Sequence, residues 1–144
     1  MAITVRKITL WRREAEDRTG LMAETLAPLA AAGVSLKVAM GYRQTGGSTA
    51  VIEVSQVSGK KAVAAAKSGG LGASTIPTLL VEGDDRPGLG HALARAIADA
   101  GINLDFLVAQ VVGRKFSAIF GFGNEADART AASLIKKAGR AGKK

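Results

Sequence analysis

The sequence predicts an α+β fold in which one β-α-β-β-α pattern is used twice. Three observations carry that prediction. Asp17-Arg18-Thr19-Gly20-Leu21 returns 68 residues later as Asp85-Arg86-Pro87-Gly88-Leu89. Ala32-Gly33-Val34-Ser35-Leu36 returns at the same offset as Ala100-Gly101-Ile102-Asn103-Leu104, and Thr49-Ala50-Val51-Ile52 returns as Ser117-Ala118-Ile119-Phe120. A repeat of this length forms a whole small domain, unlike solenoid units that need neighbours. Two tandem modules are therefore expected, over 1–72 and 73–144, the second ending in a basic tail.

Each element has its own warrant. Val5 to Arg13 has the apolar and β-branched content of a strand. Leu21, Met22, Leu26 and Leu29 recur at helical spacing, and Gly33 suits the position after the helix, where positive φ costs little. Pro28 falls inside that helix and predicts a kink or an early stop. Val34 to Val38 opens the next strand, Gly46-Gly47 is a hairpin turn, and Ala50, Ile52 and Val54 alternate beyond it. Gly59 to Lys67 reads as a second helix, and Leu71 to Thr75 as a short last strand. The second copy follows the same order. Ile76 to Glu82 is a strand apolar on both faces. Pro87 to Ala100 is a helix with Leu89, Leu93 and Ile97 on one side. Ile102 to Val112 and Phe116 to Phe122 form a hairpin about Gly113-Arg114-Lys115, and Asn124 or Glu125 to Ala138 is the last helix. The order is ferredoxin-like: two helices on one face of an antiparallel sheet. A fourth strand is expected only in the first copy, because Gly139-Arg140-Ala141-Gly142-Lys143-Lys144 is a poor strand. One edge of the second sheet is then open, swapped or covered.

Composition narrows the function. There is no cysteine and one histidine, His91. Disulfides, thiolate chemistry and zinc ribbons are excluded, and one histidine does not make a common transition-metal site. Asp84-Asp85 is a weak hard-cation signal, and no nucleophile-elbow motif surrounds any serine. No catalytic residue, metal or cofactor is expected. No apolar run reaches the roughly 20 residues of a membrane helix, and the start lacks the apolar stretch of a signal peptide, so a cytoplasmic protein is the expectation. The net charge is +8. Lys136, Lys137, Arg140, Lys143 and Lys144 concentrate it after the last acid, and Arg6, Lys7, Arg12 and Arg13 form a second basic group. Such clusters read as solvated surface or as attraction to an acidic partner. Only six residues are Phe, Trp or Tyr, so packing between modules and a second chain is expected to add burial.

The turn between first strand and first helix carries the chemistry. In Asp85-Arg86-Pro87-Gly88-Leu89-Gly90, proline suits the first helical position and the glycines leave the backbone bare. Free N–H groups at a positive helix end suit a carboxylate or a phosphate, Asp85 suits an ammonium, and Asn103 is expected at the same edge of the sheet. The alternative is a helix cap made by Asp85, with glycine serving only packing.

These residues make the chain resemble the ACT domain family. Asp-Arg-Pro-Gly before the first helix and Ala-Gly-Ile-Asn-Leu after it are similar to that family's motifs. The first copy resembles it too, with Thr19 and Ser35 departing from the usual proline and asparagine. The resemblance implies a regulatory module that binds an amino acid where two modules meet, with sheets joined side by side. Carried over, it implies a ligand site at Asp85, Arg86, Pro87, Gly88, Leu89, Gly90, Ile102 and Asn103, and at Asp17, Arg18, Thr19, Gly20, Leu21, Val34 and Ser35. It also implies a separate amino-acid-metabolism enzyme as partner and a homodimer. Two other classes compete with this sensor. One is a basic nucleic-acid-binding domain, faintly suggested by the aromatic strand Lys115 to Phe122, although Phe116, Phe120 and Phe122 share the parity of core positions. The other is a module that only dimerises.

Overall fold

The computed structural model describes residues 3–141, so Lys143 and Lys144 of the basic tail lie outside the described residues. Twelve elements follow in chain order: β1 (Thr4–Ile8), β2 (Trp11–Glu16), α1 (Leu21–Ala31), β3 (Val38–Arg43), β4 (Thr49–Ser55), α2 (Lys60–Ser68), β5 (Gly72–Ala73), β6 (Thr78–Asp84), α3 (Leu89–Asp99), β7 (Leu104–Val112), β8 (Lys115–Phe122) and α4 (Glu125–Ala141). The fold is α+β, with two four-stranded antiparallel sheets and four helices in the ferredoxin-like pattern.

The chain divides into two compact units, Thr9–Thr75 and a second made of Met1–Ile8 with Ile76–Lys144. This corrects the expected boundary. The single strand expected from Val5 to Arg13 is split at Thr9-Leu10. Its first half, β1, pairs with β6 from Thr4↔Glu82 to Ile8↔Thr78. Its second half, β2, pairs with β4 from Trp11↔Val54 to Glu16↔Thr49. The strand missing from the second copy is thus supplied by Thr4–Ile8, which precedes the first copy. The physical reason is that β6 needs a partner for its free backbone edge, and Ile3 and Val5 bring apolar side chains that the Gly139–Lys144 tail lacks. Ile3 is buried in the second core, and Val5 packs against it.

In the first unit the order is β3-β4-β2-β5. Ala50, Ile52 and Val54 of β4 face Leu21 and Leu29 of α1 and Ala65 and Ala66 of α2. The expected strand at Val34 begins later, at Val38, which pairs with Ser55. Helix α1 continues through Pro28 to Ala31 rather than stopping there. The short β5 pairs with Trp11 and Arg12 only.

In the second unit the order is β1-β6-β8-β7. Leu79 and Val81, then Phe116, Ala118, Phe120 and Phe122, face Leu89, Leu93 and Ile97 of α3 and Ala128, Ala131 and Ile135 of α4. Phe120 and Phe122 stack with centroids 6.5 Å apart. The aromatic strand is therefore core, as its parity predicts, and offers no stacking platform for bases. The hairpin turn is two residues, Gly113-Arg114, since Val112 already pairs with Lys115. Among the described residues no helix is long and apolar enough to cross a membrane.

Candidate functional site

Both strand-to-helix joints are built alike. In Arg18-Thr19-Gly20-Leu21 the Leu21 N–H donates to the Arg18 carbonyl at 3.3 Å, and Gly20 has φ 86° and ψ −1°. In Arg86-Pro87-Gly88-Leu89 the Leu89 N–H donates to the Arg86 carbonyl at 3.2 Å, and Gly88 has φ 80° and ψ 2°. This is the geometry of a type II turn, which favours proline at its second residue and glycine at its third. Two expectations are corrected here. Pro87 occupies the turn, two residues ahead of the helix, and not the first helical position. The N-cap is a glycine in both helices, with no side-chain cap bond, so Asp85 does not cap α3. Thr19 holds the position of Pro87 without changing the turn.

The two halves of the expected site do not come together. β2 rises to Glu16, α1 runs back, and Val34 and Ser35 lie near the start of β3, where Val38 pairs with Ser55. Eleven helical residues span about 16 Å, which carries the chain to the opposite end of the sheet. Val34 and Ser35 line a separate depression of about 370 Å³ with Gln56, Ser58 and Lys61. The same geometry puts Ile102 and Asn103 at the Phe122 end of the second sheet, away from Asp85–Gly90 at the Lys115 end. The expectation that Asn103 shares an edge with Asp85 is overturned, because a β-α-β unit with parallel strands must start its second strand where the helix ends.

The first joint opens on a cleft of about 650 Å³. Asp17, Arg18, Gly20 and Leu21 line it from the turn, Met22 and Ala23 from the helix, and Gly41, Tyr42, Ala50, Val51 and Ile52 from the β3–β4 hairpin. Gly41 lets the Met22 side chain lie close to that wall: a Cβ there would stand 2.5 Å from Met22 Cε, and the flexible end of the methionine would have to move aside. The Glu24 N–H returns to the Gly20 carbonyl at 2.9 Å, which leaves the Met22 and Ala23 N–H groups in the first turn without an intrahelical acceptor.

The charges around the cleft are ordered by ion pairs. Arg18 Nη2 bonds Glu24 Oε2 at 2.5 Å. Arg13 Nη1 reaches the same oxygen at 3.2 Å and also donates to Thr25 Oγ1 at 2.9 Å and to the Gly69 carbonyl at 3.2 Å. Hydrogen bonds from Arg18 and then Arg13 hold the Glu24 carboxyl below its ordinary value of 4.5. Asp17 is anchored by its backbone N–H to the Ser48 carbonyl at 2.7 Å, and its carboxylate pairs with Arg43 at 3.9 Å. On the strand behind, Tyr42 donates to Glu53 Oε2 at 3.1 Å, while Glu53 Oε1 lacks a hydrogen-bond partner and faces Arg12 Nη1 at 3.8 Å. Burial, and then the Glu53 charge, push the Tyr42 phenol above its ordinary value of 10.0. The Arg12 guanidinium is also held above its ordinary value, with burial opposing the hydrogen bond it donates to Glu14 and the Glu53 charge.

The second joint is wired differently. The Asp85 N–H donates to the Arg114 carbonyl at 2.8 Å. Arg86 Nη2 donates to the Ala138 carbonyl at 3.3 Å and the Gly139 carbonyl at 3.5 Å, near the end of α4. That guanidinium covers carbonyls in the last turn of a helix. Gly88 and Gly90 have open space around them, and His91 is exposed beside them. Among the described residues no three His, Cys, Asp or Glu side chains cluster as metal ligands.

Sequence reasoning finds the turn and misses the hairpin wall of Gly41, Tyr42, Ala50 and Ile52. An isolated glycine in a strand was the available signal, because it marks close approach of a neighbour. Glu53, 1 % exposed between Ile52 and Val54, has no sequence signal of its own.

No protein-family model matches the chain, and no curated protein matches it. Solved structures do. A protein from Bacteroides thetaiotaomicron is 13 % identical with a TM-score of 0.71, over 92 % of this chain and 98 % of that one. The ligand-free regulatory subunit of aspartate kinase from Thermus thermophilus is 16 % identical with a TM-score of 0.64, over 96 % and 97 %. Aspartate kinase from Clostridium acetobutylicum, described as an allosteric enzyme, is 15 % identical with a TM-score of 0.56, over 95 % of this chain and 34 % of that one. At such identities the likeness is one of fold: the α+β arrangement of two four-stranded antiparallel sheets and four helices is similar to that of the regulatory subunit of aspartate kinase.

Proposed function

We propose that this chain is an amino-acid-binding regulatory protein rather than an enzyme. Its ligand sits in the cleft at Asp17–Ala23, and its partner is a separate amino-acid-metabolism enzyme in the cytoplasm. The observation that carries the reading is the set of groups lining one cleft. The ligand ammonium pairs with Asp17. Its carboxylate meets the Met22 and Ala23 amides at the positive end of α1. Its aliphatic part lies against Leu21, Met22 and Ile52. Arg18 is held by Glu24, so the carboxylate is assigned to the backbone amides. The fold shared with a regulatory subunit supports a role without chemistry of its own. Regulation follows if the ligand prefers one of two states of the chain or its complex.

Thermal unfolding with each of the twenty amino acids at millimolar concentration tests the reading. A ligand at 100 times its dissociation constant adds about 2.7 kcal/mol of stability. Asp17→Ala abolishes the shift and Asp85→Ala keeps it. A flat panel rejects amino-acid sensing, and a response lost only in Asp85→Ala moves the site to the second turn.

A further inference from the structure

In the second unit Lys7, Arg95 and Lys115 each pair with a carboxylate, at 2.7, 3.0 and 2.5 Å. Helix α4 carries four cations that do not. Arg129, Lys136, Lys137 and Arg140 are exposed, and among the described residues none of them meets a carboxylate. No acid follows Asp127 in the sequence.

The helix puts these charges on one side. Arg129, Ser133, Lys136 and Arg140 are spaced four, three and four residues apart and form a single stripe, with Thr130 and Lys137 beside it. At the pitch of an α-helix the six span an arc of about 120° and a length of about 16 Å. The opposite side holds Ala128, Ala131 and Ile135, which are buried in the core. The negative end of a helix attracts cations to its last turn, but that does not account for this stripe. Arg86 already covers the Ala138 and Gly139 carbonyls, and Arg129 stands near the positive end.

We propose that the outer side of α4 docks on the phosphate backbone of a nucleic-acid duplex, without reading its bases. Lysines and arginines with hydroxyls between them are the donors that phosphate oxygens take. A protein partner is a poorer match, because interface cores are apolar and depleted of lysine, and the stripe holds no apolar side chain. A lipid surface is a poorer match too: the apolar side of α4 is buried, so none of it remains to enter the headgroup boundary. A single strand would need aromatic rings for its bases to stack on, and Phe116, Phe120 and Phe122 are core. The inference is independent of the ligand reading.

Fluorescence anisotropy of a labelled, mixed-sequence DNA duplex titrated with the full chain tests it. Four phosphate contacts predict micromolar binding at 50 mM salt that weakens about 100-fold by 200 mM. Lys136→Glu with Lys137→Glu weakens binding at low salt by about tenfold or more. Lys60→Glu with Lys61→Glu, the same change of charge on α2, weakens it by less than about threefold. Circular dichroism checks that each variant is folded, and Lys136→Gln with Lys137→Gln is the milder pair, expected to lose about threefold or more. No binding by the wild type at low salt overturns the proposal. So do equal losses in the α2 and α4 pairs, which would make the attraction one of net charge alone. Tighter binding to phosphatidylserine vesicles, or to one strand of the same duplex, overturns it as well.

Discussion

At Arg18–Leu21 the guanidinium folds onto its own helix and bonds Glu24, and a cleft stays open beside the turn. At Arg86–Leu89 the guanidinium reaches the end of α4 instead. The backbone is the same at both places, down to a glycine at φ 86° in one and 80° in the other. The comparison separates two things that a repeated motif usually carries together. The turn is dictated by local chemistry, glycine in the left-handed region and a carbonyl-to-amide bond. What the turn does is decided by the side chains that distant elements bring to it. At the first turn the hairpin residues Gly41, Tyr42, Ala50 and Ile52 wall the cleft, and Met22 lies close over Gly41.

The comparison can be broken most strongly at the arginines. Arg86→Ala uncovers the last carbonyls of α4 and removes a favourable cation from its negative end. We expect a loss of about 1 kcal/mol, read as a lower midpoint in urea with unchanged ligand response. Arg18→Ala, whose partner is exposed, is expected to cost less. Equal losses would mean that the two side chains are used alike. Next in size is Thr19→Pro, which puts into the first turn what the second already has. It should stabilise by about 0.4–1 kcal/mol by restricting the unfolded chain. A destabilised variant would show that the two turns differ in backbone after all. The smallest effect is electrostatic. Glu24 titrates below 4.5 in the folded chain. Its contribution is therefore complete above that value and is lost as pH falls through the lower, folded one. Glu24→Gln should flatten that part of the acid limb of stability against pH, and an unchanged acid limb would remove the ion pair from the account.

Much of this architecture can be read from residues. Leu89, Leu93 and Ile97 predict α3 and its buried side, and Phe116, Phe120 and Phe122 predict a core strand. The repeated Asp-Arg-x-Gly-Leu predicts two equivalent turns. The division of Val5–Arg13 is not readable, because Thr9-Leu10 contains no glycine or proline to break a strand. Which sheet each half joins is settled by pairing with residues more than thirty positions away. The position of Asn103 is not readable for a related reason: a helix carries the chain the full length of the sheet before the next strand starts. The cleft wall depends on which strand ends meet, and Glu53 depends on Tyr42 and Arg12 being brought beside it.

The borrowed strand β1 has a consequence for synthesis. Thr9–Thr75 leaves the ribosome complete and can fold at once. Thr4–Ile8, made earlier, must wait with its edge unsatisfied until Thr78–Asp84 emerges. Residues made before Thr9–Thr75 thus find their place only after it, and a break or substitution in Thr4–Ile8 would damage the half of the molecule translated later.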